Sequence, residues 1–377
     1  MRRIPTFDMP LLFCFLVLVG LGITFIYTAS YPRTITEVDG SSFGNAGKQA
    51  QFAFMGLAAM LICMYTPLTF FRRYAKTISV VTISLLIILL MVAPVLHGNK
   101  AWIKVLGFQF QPSEFAKVAL ILVLSSFLAS RPWVVRSWKG LLTGPYAIIF
   151  IGVGLILAQD DLGTATVMAI ASIVIVAIAG TRFRFWGVPL LIGLLLASAV
   201  VLSGHRAVRI EAWQHPFNEK IRETFQPRNS LIAVGSGGWF GRGFCQSRQK
   251  WGYLPGAHND YILGIICEEL GFVFTLLFLF VPYLFMIFRG FAIAHRAPDE
   301  FSALVASGCI VMISTQALVN LCVVTNLIPC MGINLPFISY GGTSLIASMM
   351  MAGLLLNVSG LRQGHKNASM TQTDAQP

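Results

Sequence analysis

Ten stretches of mainly apolar residues, each near the roughly 20 residues that a bilayer-spanning helix needs, alternate with polar connections along the chain. They lie at 10–30, 49–68, 75–94, 112–130, 143–159, 161–180, 185–204, 262–288, 302–326 and 341–361. Of the nine connections, eight are short and one, 205–261, is long. The pattern predicts an all-α integral membrane protein of about ten transmembrane helices, with a large extracytoplasmic loop between the seventh and the eighth. It also predicts a single polytopic domain over 1–362, because no stretch remains for a second one. The polar tail 363–377, ending TQTDAQP, is predicted to be a disordered cytoplasmic segment. The first run follows Met1, Arg2 and Arg3 as in a signal peptide, but its apolar core exceeds the roughly 7–15 residues of one, so an uncleaved first helix is expected.

Composition agrees with the pattern. Only 11% of the 377 residues are charged and 56% are hydrophobic, with mean hydropathy +0.75, whereas soluble proteins carry roughly 25% charged residues. The net charge of +12 divides into two parts. Fourteen Lys and Arg fall on the side of the termini, against four (Arg33, Lys48, Lys100, Lys104) in the short loops opposite. Positive short loops mark the cytoplasm, so both termini are expected inside. Eight more basic residues sit in 205–261, whose acids are Glu211, Glu219, Glu223 and Asp260. That loop is either a solvated surface or an outward anion site, since a focused basic field attracts anions. Nothing in this distribution points to nucleic acid. The seven cysteines, most of them in apolar runs, show no disulfide or metal spacing and read as small hydrophobes.

Ionisable residues at membrane depth are expensive and mark function. The fourth run opens QPSEFAK, which places Glu114 and Lys117 three apart, on neighbouring positions of one helix. Two readings stand: an internal ion pair that orients the helix, and a lysine that holds a phosphate near the headgroups. QDDLGT, 159–164, presents Asp160 and Asp161, either as a polar turn ending two helices or as ligands for a divalent cation, Mg or Mn. In LPGAHNDYILGIICEELG, 254–271, a helix begun near Asp260 puts that carboxylate at the water boundary and Glu268 about 12 Å deeper. Depth separates their roles: Asp260 is suited to take a proton from a substrate, Glu268 and Glu269 to fasten helices. The dipole at a helix start favours the ionised aspartate. His258 is a candidate for hydrogen bonding or capping, and secondarily for catalysis. GINLPFISYGGTS, 332–344, offers glycine, hydroxyls and backbone N–H groups where a last helix begins, as a hinge or an anion site.

In order, the chain carries HGNKAWI, QPSEFAK, QDDLGTA, RNSLIAVGSGGWFGRGF, SRQKWGYLPGAHNDYILGIICEELG and INLPFISYGGTSL. This series resembles the SEDS family of shape, elongation, division and sporulation proteins, RodA and FtsW among them, over nearly the whole length. The SRQK and YLP wording leans slightly toward the FtsW branch. The resemblance implies a peptidoglycan glycosyltransferase of the cytoplasmic (inner) membrane that polymerises lipid II on the outer face. It further implies a class B penicillin-binding protein as transpeptidase partner, beside other elongation or division proteins. Asp260 then inherits the role of the aspartate in the family's HTDF motif. Lys48, Glu114, Lys117, Asp161, Ser339 and His258 fall on motif positions expected to bind substrate. The chain departs from the family at Gly256 (usually glutamate), Asn259 (threonine), Asp160 (proline) and Ala101 (a second basic residue).

The expected chemistry is one inverting displacement of undecaprenyl diphosphate by a sugar C4 hydroxyl, with Asp260 as general base. A lipid II flippase and a scaffold that recruits a transpeptidase are the competing classes. Charges at depth suit a transporter equally well, but no internal repeat or matched pair of broken helices is visible.

Overall fold

The computed structural model describes residues 7–36, 44–92, 101–105, 108–187, 189, 193, 204–218 and 220–373. Most of the expected seventh span 185–204, most of HGNKAWI, and Arg2, Arg3, Lys100 and Glu219 lie outside them. The described chain is mostly helical. Seven of its helical stretches are long and apolar enough to cross a membrane: Met9–Pro32, Leu68–Val92, Pro112–Ser130, Trp138–Ala158, Ile262–His295, Glu300–Val324 and Gly342–Leu361.

The helices run in chain order as α1 (Met9–Thr36), α2 (Gly44–Tyr65), α3 (Leu68–Val92), α4 (Pro112–Ser130), the short α5 (Trp138–Thr143), α6 (Pro145–Ala158) and α7 (Leu162–Ile178). After the long connection's α8 (Gly204–Gln214) and α9 (Phe225–Ser236) come α10 (Ile262–Thr275), α11 (Val281–His295), α12 (Glu300–Val324) and α13 (Gly342–Thr373). A two-stranded antiparallel ribbon, β1 (Ile103–Val105) and β2 (Phe108–Phe110), precedes α4 and pairs Ile103 with Phe110. α4, α12 and the first part of α13 form the centre, where most side chains are buried, while α3 exposes most of its apolar surface. The central helices carry the buried polar side chains, Glu114, Lys117, Gln316, Asn320 and Ser344 among them, which must face protein, whereas the more uniformly apolar α3 can face lipid. α2 lies along α13, and the amide of Asn357 ties them by donating to the Cys63 carbonyl at 2.8 Å. Such interhelical hydrogen bonds matter in lipid, where apolar surface alone gives little preference between partners.

The stretch Ile262–His295 is a broken helix. Gly271, at φ +72° and ψ −178°, interrupts it, and five residues of wider π geometry, Leu276–Phe280, follow before α11. The freed backbone groups are taken up by the loop after α9. Phe272 N–H donates to the Gly238 carbonyl, Val273 N–H to that of Trp239, and the carbonyls of Glu268 and Glu269 accept from Arg242 and Gly243 N–H. A Cβ on Gly271 would stand 2.1 Å from Gly241 N, so only glycine lets the two backbones meet.

Candidate functional site

Lys48 near the start of α2, Glu114 and Lys117 in the first turns of α4, Asp161 capping α7, Asp260 just before α10, and Gly342 at the start of α13 all line one cavity of about 670 Å³. Five helices therefore begin at this cavity. Each brings the positive end of its dipole, so the cavity is prepared for negative charge before any side chain is counted. Lys48, Lys117 and Arg209 add cations to the same walls.

Asp260 stands between two glycines. A Cβ at Gly256 would lie 2.8 Å from its Oδ1, and one at Gly332 would lie 4.0 Å from its Oδ2. Gly256 has φ +74° and closes the turn in which Asn259 N–H donates to its carbonyl at 2.9 Å. The glutamate usual in the family would be strained at this φ and would require the Asp260 carboxylate to shift, so the glycine and the position of the carboxylate go together. The main chain of Asp260 is fixed by Asn320, whose amide donates to the carbonyls of Asp260 and Ile333, both at 2.7 Å. Burial pushes the Asp260 carboxyl up from 3.8 to about 6, opposed by its own backbone N–H and by the charge of Arg209. Desolvation by the cavity wall is the largest influence on this carboxyl, which stays ionised at neutral pH.

Lys117 and Glu114 are both buried and paired at 2.6 Å, and Lys117 Nζ also donates to Gln316 Oε1 at 2.7 Å. Gln316 in turn donates to the Asn334 carbonyl at 2.9 Å. The two readings of this pair are thus compatible, because the ion pair is internal and yet its members face the cavity. Asp161 accepts from Gln111 Nε2 at 2.8 Å, from Ser113 Oγ at 3.4 Å and from Thr164 N–H at 3.1 Å. It is the N-cap of α7 and fastens α7 to the start of α4. Asp160, exposed at φ +64°, holds a backbone angle that proline cannot take.

Ser339 and His258 lie behind the cavity wall rather than on it. The Ser339 hydroxyl accepts from Leu335 N–H at 2.7 Å, and its carbonyl accepts from Gln49 Nε2 at 3.2 Å. His258 packs its ring near Tyr340, and its carbonyl accepts from Tyr340 N–H at 2.9 Å. Through these bonds the turn before α10 and the loop before α13 hold each other. Glu268 and Glu269 fasten α10, though to the loop 247–250 rather than to another helix. Glu268 accepts from Ser247 Oγ, Arg248 N–H and Gln249 N–H, and Glu269 pairs with Lys250 Nζ at 2.9 Å.

Two contributors, Gln316 and Asn320, were not singled out from the sequence, while Arg209 is one of the eight basic residues of the long connection, whose arginines are candidates to meet a diphosphate. The first two are neutral amides four apart inside an apolar run, a spacing that puts both on one helix face. No three His, Cys, Asp or Glu side chains among the described residues converge as a metal site. The described residues therefore form no all-protein cage for a divalent cation.

Comparison with known proteins matches residues 9–364 to the family described as cell cycle protein, FtsW/RodA/SpoVE. Stage V sporulation protein E of Bacillus subtilis (strain 168) is 39% identical over 355 residues, spanning 93% of this chain and 96% of that protein. A protein named probable peptidoglycan glycosyltransferase FtsW, from Trichlorobacter lovleyi, is 34% identical over 377 residues, spanning 99% and 97%. Among solved structures, a chain from a peptidoglycan synthase complex that coordinates polymerization and crosslinking superposes with TM-score 0.78 at 28% identity, covering 95% of this chain and 98% of that one. The rod shape determining protein RodA of Thermus thermophilus superposes with TM-score 0.70 at 28% identity and the same coverage.

Proposed function

The chain belongs to the FtsW/RodA/SpoVE family of cell cycle proteins, and from that premise we propose that it is a peptidoglycan glycosyltransferase polymerising lipid II at the outer face of the cytoplasmic membrane. The observation that carries the reading is the convergence of Asp260, Lys48 and Lys117 on one cavity at the starts of five helices. A polymerase of this kind must neutralise a departing diphosphate and activate a neutral hydroxyl in the same place.

Asp260 is the general base. Its carboxylate takes the proton of the acceptor sugar's C4 hydroxyl as that oxygen forms a bond to the donor's anomeric carbon. The bond from that carbon to the diphosphate oxygen breaks, and undecaprenyl diphosphate leaves with the electron pair. One displacement inverts the anomeric centre and needs no covalent enzyme intermediate. A carboxyl titrating at about 6 is ionised at neutral pH and is a stronger base than an ordinary aspartate. Lys117, held by Glu114 and Gln316, and Lys48 meet the charge that grows on the leaving oxygen. Asp161, Ser339 and His258 shape the walls. No step is assigned to a metal ion.

The remaining features of the reading are the ten-span topology with both termini inside, the single domain with its loop 205–261 outside, and a class B penicillin-binding protein as transpeptidase. The charge distribution supports the first two. The structural likeness to a complex that both polymerises and crosslinks supports the third. The test is purified protein with lipid II, with and without a candidate transpeptidase, scored for glycan polymer. Polymer formation supports the reading. Movement of lipid II across vesicles without polymer replaces it with a flippase.

A further inference from the structure

A second cavity, of about 900 Å³, adjoins the first. Its walls come from α8, the turn Arg222–Thr224 and the start of α9, and they carry Arg209, Arg222 and Arg228 against the one carboxylate of Glu223. Arg222 and Arg228 do not line the first cavity; Arg209, Gln226 and Cys330 line both. The two spaces are therefore neighbouring compartments with a common wall. That wall is anchored: Trp213 Nε1 donates to the Asn326 carbonyl at 3.0 Å, and the Asn326 amide returns a bond to the Trp213 carbonyl at 3.1 Å. α8 is thereby tied to the end of α12.

Guanidinium groups match phosphate oxygens in a fork, and several in one recess focus a positive field that water screens less than on an open surface. The proposed reaction joins two saccharides that each carry a lipid diphosphate. Lys48 and Lys117 in the first cavity serve the one that leaves. A second diphosphate brought within reach of it would be repelled without cations of its own. We infer that the arginine-lined cavity holds the diphosphate of the second lipid-linked saccharide, whose hydroxyl end passes Arg209 to reach Asp260. This rests on the polymerase reading and specifies where its second substrate binds.

Binding stoichiometry tests it apart from turnover. The Asp260→Asn protein in phosphatidylcholine nanodiscs is titrated with lipid II and the bound molecules are counted by native mass spectrometry, while polymer formation by the parent protein is measured in parallel. Two lipid II per protein are expected, falling to one when Arg222→Glu and Arg228→Glu are added. Arg222→Lys with Arg228→Lys, which keeps the charge but not the fork, should still bind two at saturating lipid II, the second more weakly than with the arginines, which separates lost charge from lost folding. One molecule bound with the arginines intact, while the parent still polymerises, overturns this site and leaves the polymerase reading standing. Two retained after charge reversal also overturns it, as does displacement of the second molecule by an equal amount of phosphatidylglycerol. No lipid II bound at all, with no polymer from the parent, fells both.

Discussion

At the scale of the residue, Asp260 and Gly256 form one unit. Activity requires the ionised carboxylate, so kcat/KM is expected to be level above neutrality and to fall about tenfold per pH unit below about 6. A profile whose acid limb lies near 4 would show an unperturbed group. The stability consequence has the opposite sense. Between about 3.8 and 6 the folded protein holds a proton that the unfolded chain releases, so stability declines as pH rises through that window. Asp260→Asn should accordingly melt no lower than the parent at neutral pH. Gly256→Ala introduces a Cβ 2.8 Å from Asp260 Oδ1 at φ +74°. It is expected to cost about 1 kcal/mol of stability and, by displacing the base, on the order of 10²-fold in rate. Thermal melting and polymerisation read the two effects separately. The sequence singled out Asp260 and the unusual glycine, but their relation was not legible, because it depends on where a turn places a carboxylate rather than on spacing.

At the scale of the element, the fastening of α10 is a buried charge network. Lys250 and Glu269 are almost fully buried and paired at 2.9 Å. Lys250→Met leaves Glu269 without its partner and should destabilise by about 3–5 kcal/mol, measured as a lowered melting temperature. A melt within a degree of the parent would contradict the network. On α12, Gln316 orients Lys117 and its own amide reaches the loop before α13. Gln316→Leu should raise the KM for lipid II more than it lowers kcat, whereas a purely structural amide would shift the melt and leave KM alone. The sequence made the helices legible through their apolar runs, and the EELG and QPSE stretches through charge at depth. The broken helix at Gly271 was not legible, since its lost hydrogen bonds are recovered from a loop thirty residues upstream. Gln316 and Asn320 stayed hidden because uncharged amides barely disturb an apolar window.

At the scale of the molecule, the starts of α2, α4, α7, α10 and α13 share one face. That face is the outer one if the positive loops opposite are cytoplasmic. Cys245, exposed in the loop that grips α10, reports on this directly. In intact cells a membrane-impermeant maleimide should label the protein, and Cys245→Ser should lower that labelling; labelling only after lysis would invert the topology. Hydrophobic periodicity and charge bias made the multi-span plan readable from the chain. The gathering of five helix starts into one cavity is a property of packing, which no single window of sequence contains. The central claim is that this cavity polymerises lipid II with Asp260 as the base, and it is tested most directly by polymer formation from purified lipid II by the Asp260→Asn protein with its transpeptidase present. The account predicts lipid II bound but polymerisation reduced by about 10²–10⁴-fold; polymer formed at the parent's rate would contradict it.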